Sequence, residues 1–163
     1  MSEDERYQEC WEKALTLLDR RSHSALELRG KLLKRHYPGT IIDRVIRELA
    51  RLDLVDDRRF AEEYCAYRLG GGRPLGRSRV LAELRRKGIS PSVAEAAFEA
   101  VDKNDETSEL DRALAAGRRK WKSVCQREAD ERKVRQKVVR FLAGRGFSAG
   151  VCYEVVDRLM DKG

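Results

Sequence analysis

The sequence is poor in the residues that build metal sites and thick hydrophobic cores. Of its 163 residues only two are histidine, four are cysteine and three are proline, and aromatic residues make up 7%. The cysteines, Cys10, Cys65, Cys125 and Cys152, lie far apart without a C-x-x-C pair, so no metal-ligand pattern is present. We therefore expect no bound metal. Cys65 and Cys152 fall among apolar helix positions and are predicted to be buried free thiols.

Long hydrophobic runs and catalytic motifs are also missing. No apolar stretch approaches the length that crosses a bilayer, and Glu3, Asp4 and Glu5 are acidic where a signal peptide would be basic. Neither a phosphate-binding loop nor a nucleophile elbow occurs. His23, between two serines, and His36, at a predicted turn, have no fixed orienting partner of the kind that general-base chemistry needs. We therefore expect a cytoplasmic protein with no membrane segment, no cofactor and no enzymatic activity.

What the sequence does contain is one helix-turn-helix pattern, repeated three times at offsets of 52 and then 58 residues. The turns are Arg35-His36-Tyr37, Lys87-Gly88-Ile89 and Arg145-Gly146-Phe147. The apolar positions around them align without a gap, and Leu32, for example, aligns with Leu84 and Leu142. Units of this kind bury their apolar faces partly against their neighbours. The pattern predicts an all-α fold, an elongated array of three tandem three-helix repeats.

The turn residues explain why the pattern recurs. Gly88 and Gly146 lie where a helix needs a left-handed residue just after its end, and the next residue is expected to fold back onto the helix. His36 takes the glycine position in the first repeat, and we expect a looser turn there because a positive φ is less favourable for histidine. Ser90 is predicted to cap the following helix, with Pro91 at its first position.

Each repeat also has a helix before this pair, over residues 11–21, 57–69 and 109–121, which gives nine helices. In the first of them, Trp11, Leu15 and Leu18 are expected to form the buried face. We expect the repeats to occupy residues 1–53, 54–104 and 105–163. The run Gly70-Gly71-Gly72-Arg73-Pro74 is predicted to be non-helical and to form a hinge.

Several residues are predicted to serve helix starts and turns. Ser24 and Glu27 form a capping box, and Asp56 caps a helix in which Val55 and Phe60 can form a hydrophobic staple. The pair Asp56-Asp57 could instead be a metal or acid–base site, but its place in the first turn of a helix is explained by capping and the helix dipole. The predicted structural set is Ser24, Glu27, Asp56, Asp57, Phe60, Gly88 and Gly146.

The net charge of +7 is unevenly distributed. Residues 117–145 contain eleven basic residues against three acidic ones, and segments 73–87 and 20–36 each have six against one. Positive charge thus concentrates on the middle helix of every repeat, and helical spacing places these side chains opposite the buried face. If the repeats stack in parallel, the cations form one basic strip. Its candidate partner-binding or DNA-binding residues are Lys34, Arg77, Arg79, Arg86, Lys133, Arg135, Lys137 and Arg140.

A basic strip attracts polyanions with a salt-dependent affinity. The alternative explanation of these charges is that they keep a protein with a small core soluble. Sequence-specific reading of DNA is disfavoured because the helix that would enter the groove is poor in cations, and residues 92–102 have none. Any DNA contact is therefore expected to be weak and non-specific. Trp121 lies among cations and could stack on a base or anchor a partner, but it also continues the apolar stripe of its helix.

Motifs in all three repeats resemble those of one protein family. The first motif comprises Ala14-Leu15, Leu18, Arg21, Ser24, Glu27-Leu28 and Lys31-Leu32, and the second is Asp56-Asp57-Arg58-Arg59-Phe60-Ala61. The later ones are Glu83-Leu84 with Lys87-Gly88-Ile89, and Arg145-Gly146-Phe147. In order and type they resemble the RecX family, regulators of the RecA recombinase, from about residue 14 to 160. His36 departs from the family's usual glycine, and residues 103–132 offer little to match.

The resemblance implies a crescent-shaped modulator that binds in the groove of the RecA filament on single-stranded DNA. Such a protein lowers ATPase and strand-exchange activity and limits filament extension, within DNA repair, recombination and the SOS response. We expect this chain to be a monomer with RecA as its partner. Two alternatives stay open. One is a non-specific nucleic-acid-binding helical repeat module that acts without RecA, and the other is a structural adaptor that recruits a basic partner through its acidic segment 92–111.

Overall fold

The structure is a computed structural model, and it describes residues 1–161. Within this range the chain forms nine α-helices and no strand, which confirms the predicted all-α fold. The helices are α1 (Glu3–Arg20), α2 (Ala25–Leu33), α3 (Gly39–Arg51), α4 (Asp57–Gly70), α5 (Arg77–Arg86), α6 (Pro91–Asn104), α7 (Glu109–Cys125), α8 (Glu131–Gly144) and α9 (Ala149–Asp161). The expected end of the third repeat at residue 163 lies outside the described residues, and the repeat boundaries stay a prediction.

The first helix differs from its prediction in both length and buried face. It begins at Glu3 rather than Trp11, because Ser2 and Glu5 form a reciprocal capping box. The predicted face was wrong by one residue: the buried positions are Cys10, Ala14 and Leu17, while the predicted Trp11, Leu15 and Leu18 are only partly buried. On this helix Cys10 and Ala14 are fully buried, and Trp11, Leu15 and Leu18 pack at the margin of the core.

The three turns adopt the predicted left-handed conformation. The φ angles are 64° at His36, 82° at Gly88 and 93° at Gly146. The residue after each turn donates its amide to the carbonyl of the aligned leucine, as in a Schellman motif. This N···O distance is 3.5 Å in the first turn, against 3.0 Å and 3.2 Å in the second and third, in line with the expected looser turn at His36.

Most predicted helix starts are confirmed. The capping box of Ser24 and Glu27 is present, Asp56 accepts bonds from the amides of Arg58 and Arg59, and Ser90 accepts one from the amide of Val93. The predicted non-helical run was wrong at its first residue, because Gly70 is the last residue of α4. Glycine at the end of a helix is compatible with both the helix and the loop after it.

The chain divides into two compact units, and the middle repeat contributes to both. Unit 1 comprises residues 1–61 and 84–94, and unit 2 comprises residues 62–83 and the chain from 95 onward. The core of unit 1 lies between α1, α2 and α3, around Leu28, Ile42 and Leu49. A core of unit 2 lies between α7, α8 and α9, around Val138 and Leu142.

The cysteines behave as predicted. Cys65 and Cys152 are buried free thiols, as is Cys10, whereas Cys125 is exposed. Burial raises the pKa of Cys65 to about 11, so its thiol stays protonated near neutral pH.

In unit 1 the turn of the second repeat packs against the start of α2. Ser24 Oγ donates a hydrogen bond of 2.6 Å to the carbonyl of Lys87, and Asp57 Oδ1 accepts one of 2.9 Å from the amide of Ala25. A Cβ added to Gly88 would lie 2.5 Å from Cβ of Leu26. The contact therefore needs a glycine for two reasons, the positive φ and the close approach. Asp57 stabilises the start of α2, a use that its position in α4 did not indicate.

A half-buried ion pair reinforces this contact. Lys87 Nζ lies 2.7 Å from Glu27 Oε1, and Arg21 Nη1 lies 3.1 Å from Glu27 Oε2. Burial alone would raise the pKa of Glu27, but the hydrogen bonds from Lys87 and Arg21 outweigh it and the pKa is lowered. Glu27 therefore serves both its own capping box and the contact between repeats.

In unit 2 the turn of the third repeat packs in the same way against the start of α5. Gly76 donates its amide to the carbonyl of Arg145 at 2.8 Å, and Ser78 Oγ donates to the carbonyl of Gly146 at 3.0 Å. A Cβ added to Gly146 would lie 2.5 Å from Cβ of Arg79. In both units, then, the C-terminal turn of one middle helix meets the N-terminus of the middle helix of the preceding repeat.

Replacement of His36 by glycine is expected to stabilise the protein. A glycine accommodates the φ of 64° without the steric conflict that a Cβ introduces, and the gain should be about 0.5–1 kcal/mol in the free energy of unfolding. Urea denaturation of the wild type and the H36G variant measures it. H36A serves as the control and should give no gain, and equal stabilisation by both variants would contradict the explanation.

Replacement of Gly88 by alanine is expected to destabilise the protein by about 2–3 kcal/mol, through the left-handed φ and the conflict with Leu26. The matched control is Gly30→Ala, which places a methyl group on α2 where no atom lies within 4 Å apart from those of the adjacent residues and of the helix backbone itself. That change should raise the stability by about 0.5–1 kcal/mol. Thermal and urea unfolding measure both, and a neutral G88A variant would show that the contact is not tight.

Candidate cationic interface

The third-repeat helix α8 presents a row of cations because its other face is held in the core. Asp130 caps the helix by accepting a hydrogen bond of 3.0 Å from the amide of Arg132. Val134, Val138 and Leu142 are buried. With that face fixed, the candidates Lys133, Lys137 and Arg140 are exposed. The other candidate cations Lys34, Arg77, Arg79 and Arg86 are exposed too, and Arg135 is partly buried.

Some candidate cations already have ion-pair partners. Arg77 lies 4.0 Å from Glu99, Arg79 lies 3.3 Å from Glu83, Arg135 lies 2.8 Å from Asp157, and Lys137 lies 3.6 Å from Glu128. Within residues 1–161, the candidates without an ion pair are Lys34, Arg86, Lys133 and Arg140. These four can meet an external anion without first breaking an internal bond.

Arg79 also belongs to a structural network. Glu83 accepts hydrogen bonds from Arg68 at 3.0 and 3.1 Å, from Tyr64, and from Arg79 at 3.3 Å. Burial opposes ionisation of Glu83, yet these bonds lower its pKa to about 2. Arg79 Nη1 further lies 3.4 Å from the carbonyl of Gly144. A change at Arg79 would therefore affect the fold of unit 2 as well as any partner.

The candidate cations are shared between the two units. Lys34 and Arg86 lie in unit 1, and the others lie in unit 2. In unit 2, Arg135 and Arg140 line a groove of about 380 Å³ between α8 and α9, together with Arg132 and the exposed Tyr153. The continuous strip that parallel stacking would create stays a prediction.

Arg132 and Tyr153 were not predicted as part of this surface. Tyr153 follows the buried Cys152 on α9, so the periodicity of that helix gives a weak signal for its exposure. Trp121 is partly buried and packs against the core of α7, α8 and α9, which agrees with the apolar stripe of its helix.

The structure contradicts one prediction about histidine. His23 was expected to lack a fixed partner, but it is buried, with Nδ1 2.9 Å from the carbonyl of Arg21 and Nε2 2.8 Å from Nζ of Lys31. Burial lowers its pKa, which favours a neutral ring that donates to the carbonyl and accepts from the lysine. The sequence could not show this because the bond to Arg21 depends on how the chain bends between α1 and α2. His36 is exposed in its turn.

The acidic segment 92–111 is largely occupied by internal partners. Asp102 and Asp105 pair with the buried Arg112 at 2.7 and 3.3 Å. Asp111 closes a capping box with Ser108, Glu99 lies beside Arg77, and Glu109 accepts a bond from the amide of Ser148. These contacts leave a smaller acidic surface for a basic partner than the sequence suggested.

Residues 1–161 contain neither a metal-binding cluster nor a membrane-spanning helix. No cluster of three or more His, Cys, Asp or Glu side chains with metal-binding geometry occurs among them. None of the helices in this range combines the length and apolarity required to cross a bilayer.

Comparison with known protein families gives three matches in chain order. Residues 10–49 match the first three-helix domain of RecX, residues 56–97 match the second, and residues 107–156 match the third. These matches agree with three tandem three-helix domains.

Curated relatives match along nearly the whole chain. A protein named Regulatory protein RecX from Chlorobium limicola is 35% identical over 150 residues, which cover 92% of this chain and 89% of the relative. One of the same name from Corynebacterium efficiens is 35% identical over 164 residues, covering 98% and 75%.

A solved structure supports the same architecture. The crystal structure of RecX from Lactobacillus salivarius superposes with a TM-score of 0.77 at 21% identity, covering 96% of this chain and 97% of that one. At this identity the likeness speaks for the fold alone. The domain matches and the sequence identities together show that this chain belongs to the RecX family.

Proposed function

We propose that this protein regulates the RecA recombinase, mainly as an inhibitor, by binding in the groove of the RecA filament on single-stranded DNA. The relatives that match along the chain are named regulatory proteins of the RecX family, and RecA is the partner that this family name implies. In this proposal the protein acts in the cytoplasm as a monomer. It lowers ATPase and strand-exchange activity and limits filament extension.

The observation that carries the proposal is the exposed cationic face of α8. Lys133 and Arg140 have no ion pair within residues 1–161, and Lys137 keeps only a long contact of 3.6 Å to Glu128. A nucleoprotein filament presents phosphates and acidic side chains, and cations that are not neutralised internally attract such a surface over a Debye length. In this proposal Lys34, Arg77 and Arg86 also contact the filament, whereas Arg79 mainly maintains the fold.

The alternative function, non-specific binding of nucleic acid without RecA, uses the same cations and predicts a different behaviour. It requires tight, salt-sensitive binding to naked DNA. Titration of the protein into a RecA, ATP and single-stranded DNA assay, beside a DNA-only binding curve across salt concentrations, separates the two. Inhibition at protein concentrations that leave naked DNA unbound supports the RecA filament as the target. Inhibition that only tracks DNA binding supports the alternative.

Reversal of the three α8 charges together, as K133E, K137E and R140E, is expected to weaken inhibition. Three exposed contacts of about 0.5–1 kcal/mol each would be lost and replaced by repulsion, so the concentration for half-inhibition should rise at least about tenfold. The melting temperature should stay nearly unchanged, because all three side chains are exposed and the one ion pair lost, Lys137–Glu128, is a long surface contact. The inhibition assay and thermal unfolding measure the two effects.

The matched control reverses the charge of three other cations, so that the net charge of the protein changes by the same amount. Arg6 and Lys13 belong to α1 and Arg47 belongs to α3, so none of them is part of a middle helix; Arg6 and Arg47 are exposed and Lys13 is partly exposed. Their reversal should change inhibition much less than the α8 variant. Equal losses in the two variants would mean that only overall charge matters, and unchanged inhibition by the α8 variant would remove this face from the site.

A further inference from the structure

A second group of cations lies in unit 2, in a cleft that contains none of the candidate strip residues. The cleft has a volume of about 320 Å³ and is formed by α7, the C-terminal part of α8 and the segment that follows α4. Its charged lining comes from Arg73, Arg119, Lys120 and Arg145, beside Phe141 and Ser123. None of these lining residues is acidic. Four positive charges therefore share one concave surface.

The geometry leaves Arg145 incompletely satisfied. Its Nε is buried and has no hydrogen-bond partner within residues 1–161, although a buried guanidinium nitrogen is normally bonded. Burial lowers the pKa of Arg145, and the neighbouring guanidinium groups of Arg73, Arg68 and Arg119 lower it further. An anion placed in the cleft would relieve this repulsion.

Three contacts hold three of the four cations in place. The ring of Phe141 lies beneath two of them, with Nζ of Lys120 at 5.1 Å and Cζ of Arg145 at 5.2 Å from its centroid. Arg119 donates through Nη2 to the carbonyl of Gly72, which keeps the segment that carries Arg73 beside α7. Lys120, Arg145 and Arg119 are therefore positioned before any ligand arrives, and pre-organisation of this kind favours binding.

We propose that this cleft binds a multiply charged phosphate group. Arginine forks match phosphate oxygens in pairs, and Ser123 adds a hydroxyl donor. Four cations exceed the single charge of one phosphodiester, so they suit the pyrophosphate portion of a nucleotide or successive phosphates of a nucleic-acid strand. The volume is at the small end of ligand sites and fits a compact anion. The inference goes beyond the proposed function, because the site is separate from the strip.

Isothermal titration of the whole protein with sodium pyrophosphate in a chloride buffer tests the proposal. We expect one binding site per chain, with an affinity that falls as sodium chloride is added. Arg119→Gln and Arg145→Gln should each weaken binding at least about tenfold, because each removes a charge-assisted hydrogen bond. Arg73→Gln provides a third variant, at an exposed loop position, in case a change at Arg119 or Arg145 alters the fold. Thermal unfolding checks the stability of all three variants.

Arg118→Gln is the matched control. Arg118 precedes Arg119 on α7 and is exposed, but it does not line the cleft, so its loss should change pyrophosphate affinity by about twofold or less. The α8 triple charge reversal should also retain pyrophosphate binding, which separates failure of this proposal from failure of the proposed function. Absence of binding at millimolar pyrophosphate, or equal losses in R118Q and R119Q, would overturn it.

The source of the phosphate is identified by competition. A fluorescent oligo(dT) strand is bound to the protein, and pyrophosphate is added while anisotropy is recorded. Displacement of the strand, together with a weaker strand affinity in R145Q, supports the phosphates of a nucleic acid. Retention of the strand, together with ATP binding that is lost in R145Q, supports a nucleotide.

Discussion

The left-handed turn at the end of each middle helix is the constraint on which the architecture depends. The last carbonyls of a helix have no partner within it, and its first amides have none either. In unit 1 the carbonyl of Lys87 is satisfied by Ser24, and in unit 2 the carbonyls of Arg145 and Gly146 are satisfied by Gly76 and Ser78. One helix end thus supplies what another lacks, and the negative end of one dipole meets the positive end of the next.

This way of joining repeats explains how a chain with small cores can carry so much charge. The contacts between repeats use backbone groups, serine hydroxyls and the ion pairs Lys87–Glu27 and Arg112–Asp102. The outer faces of the middle helices are consequently available to cations. Arg79 is an exposed cation that also takes part in a contact between repeats. Its Cβ lies against the turn at Gly146, and its guanidinium group pairs with Glu83.

The sequence predicted the features that recur in each repeat and those that depend only on neighbouring residues. Turns at Gly88 and Gly146, and the cap at Ser24, follow from residue types whose backbone preferences are strong. The buried face of α1 was displaced by one residue, since periodicity alone does not say whether small or large side chains lie deepest. The cleft around Arg145 could not be predicted, because its cations come from segments that are far apart in the sequence.

The exposed imidazole of His36 has a consequence for how such arrays grow. Gly88 and Gly146 each press against the repeat before them, and neither position has room for a side chain. The corresponding place in the first repeat holds a bulky ring that faces outward. If gene duplication added another repeat before α1, the side chain of His36 would obstruct the contact between the two repeats. A mutation of His36 to glycine would have to come first.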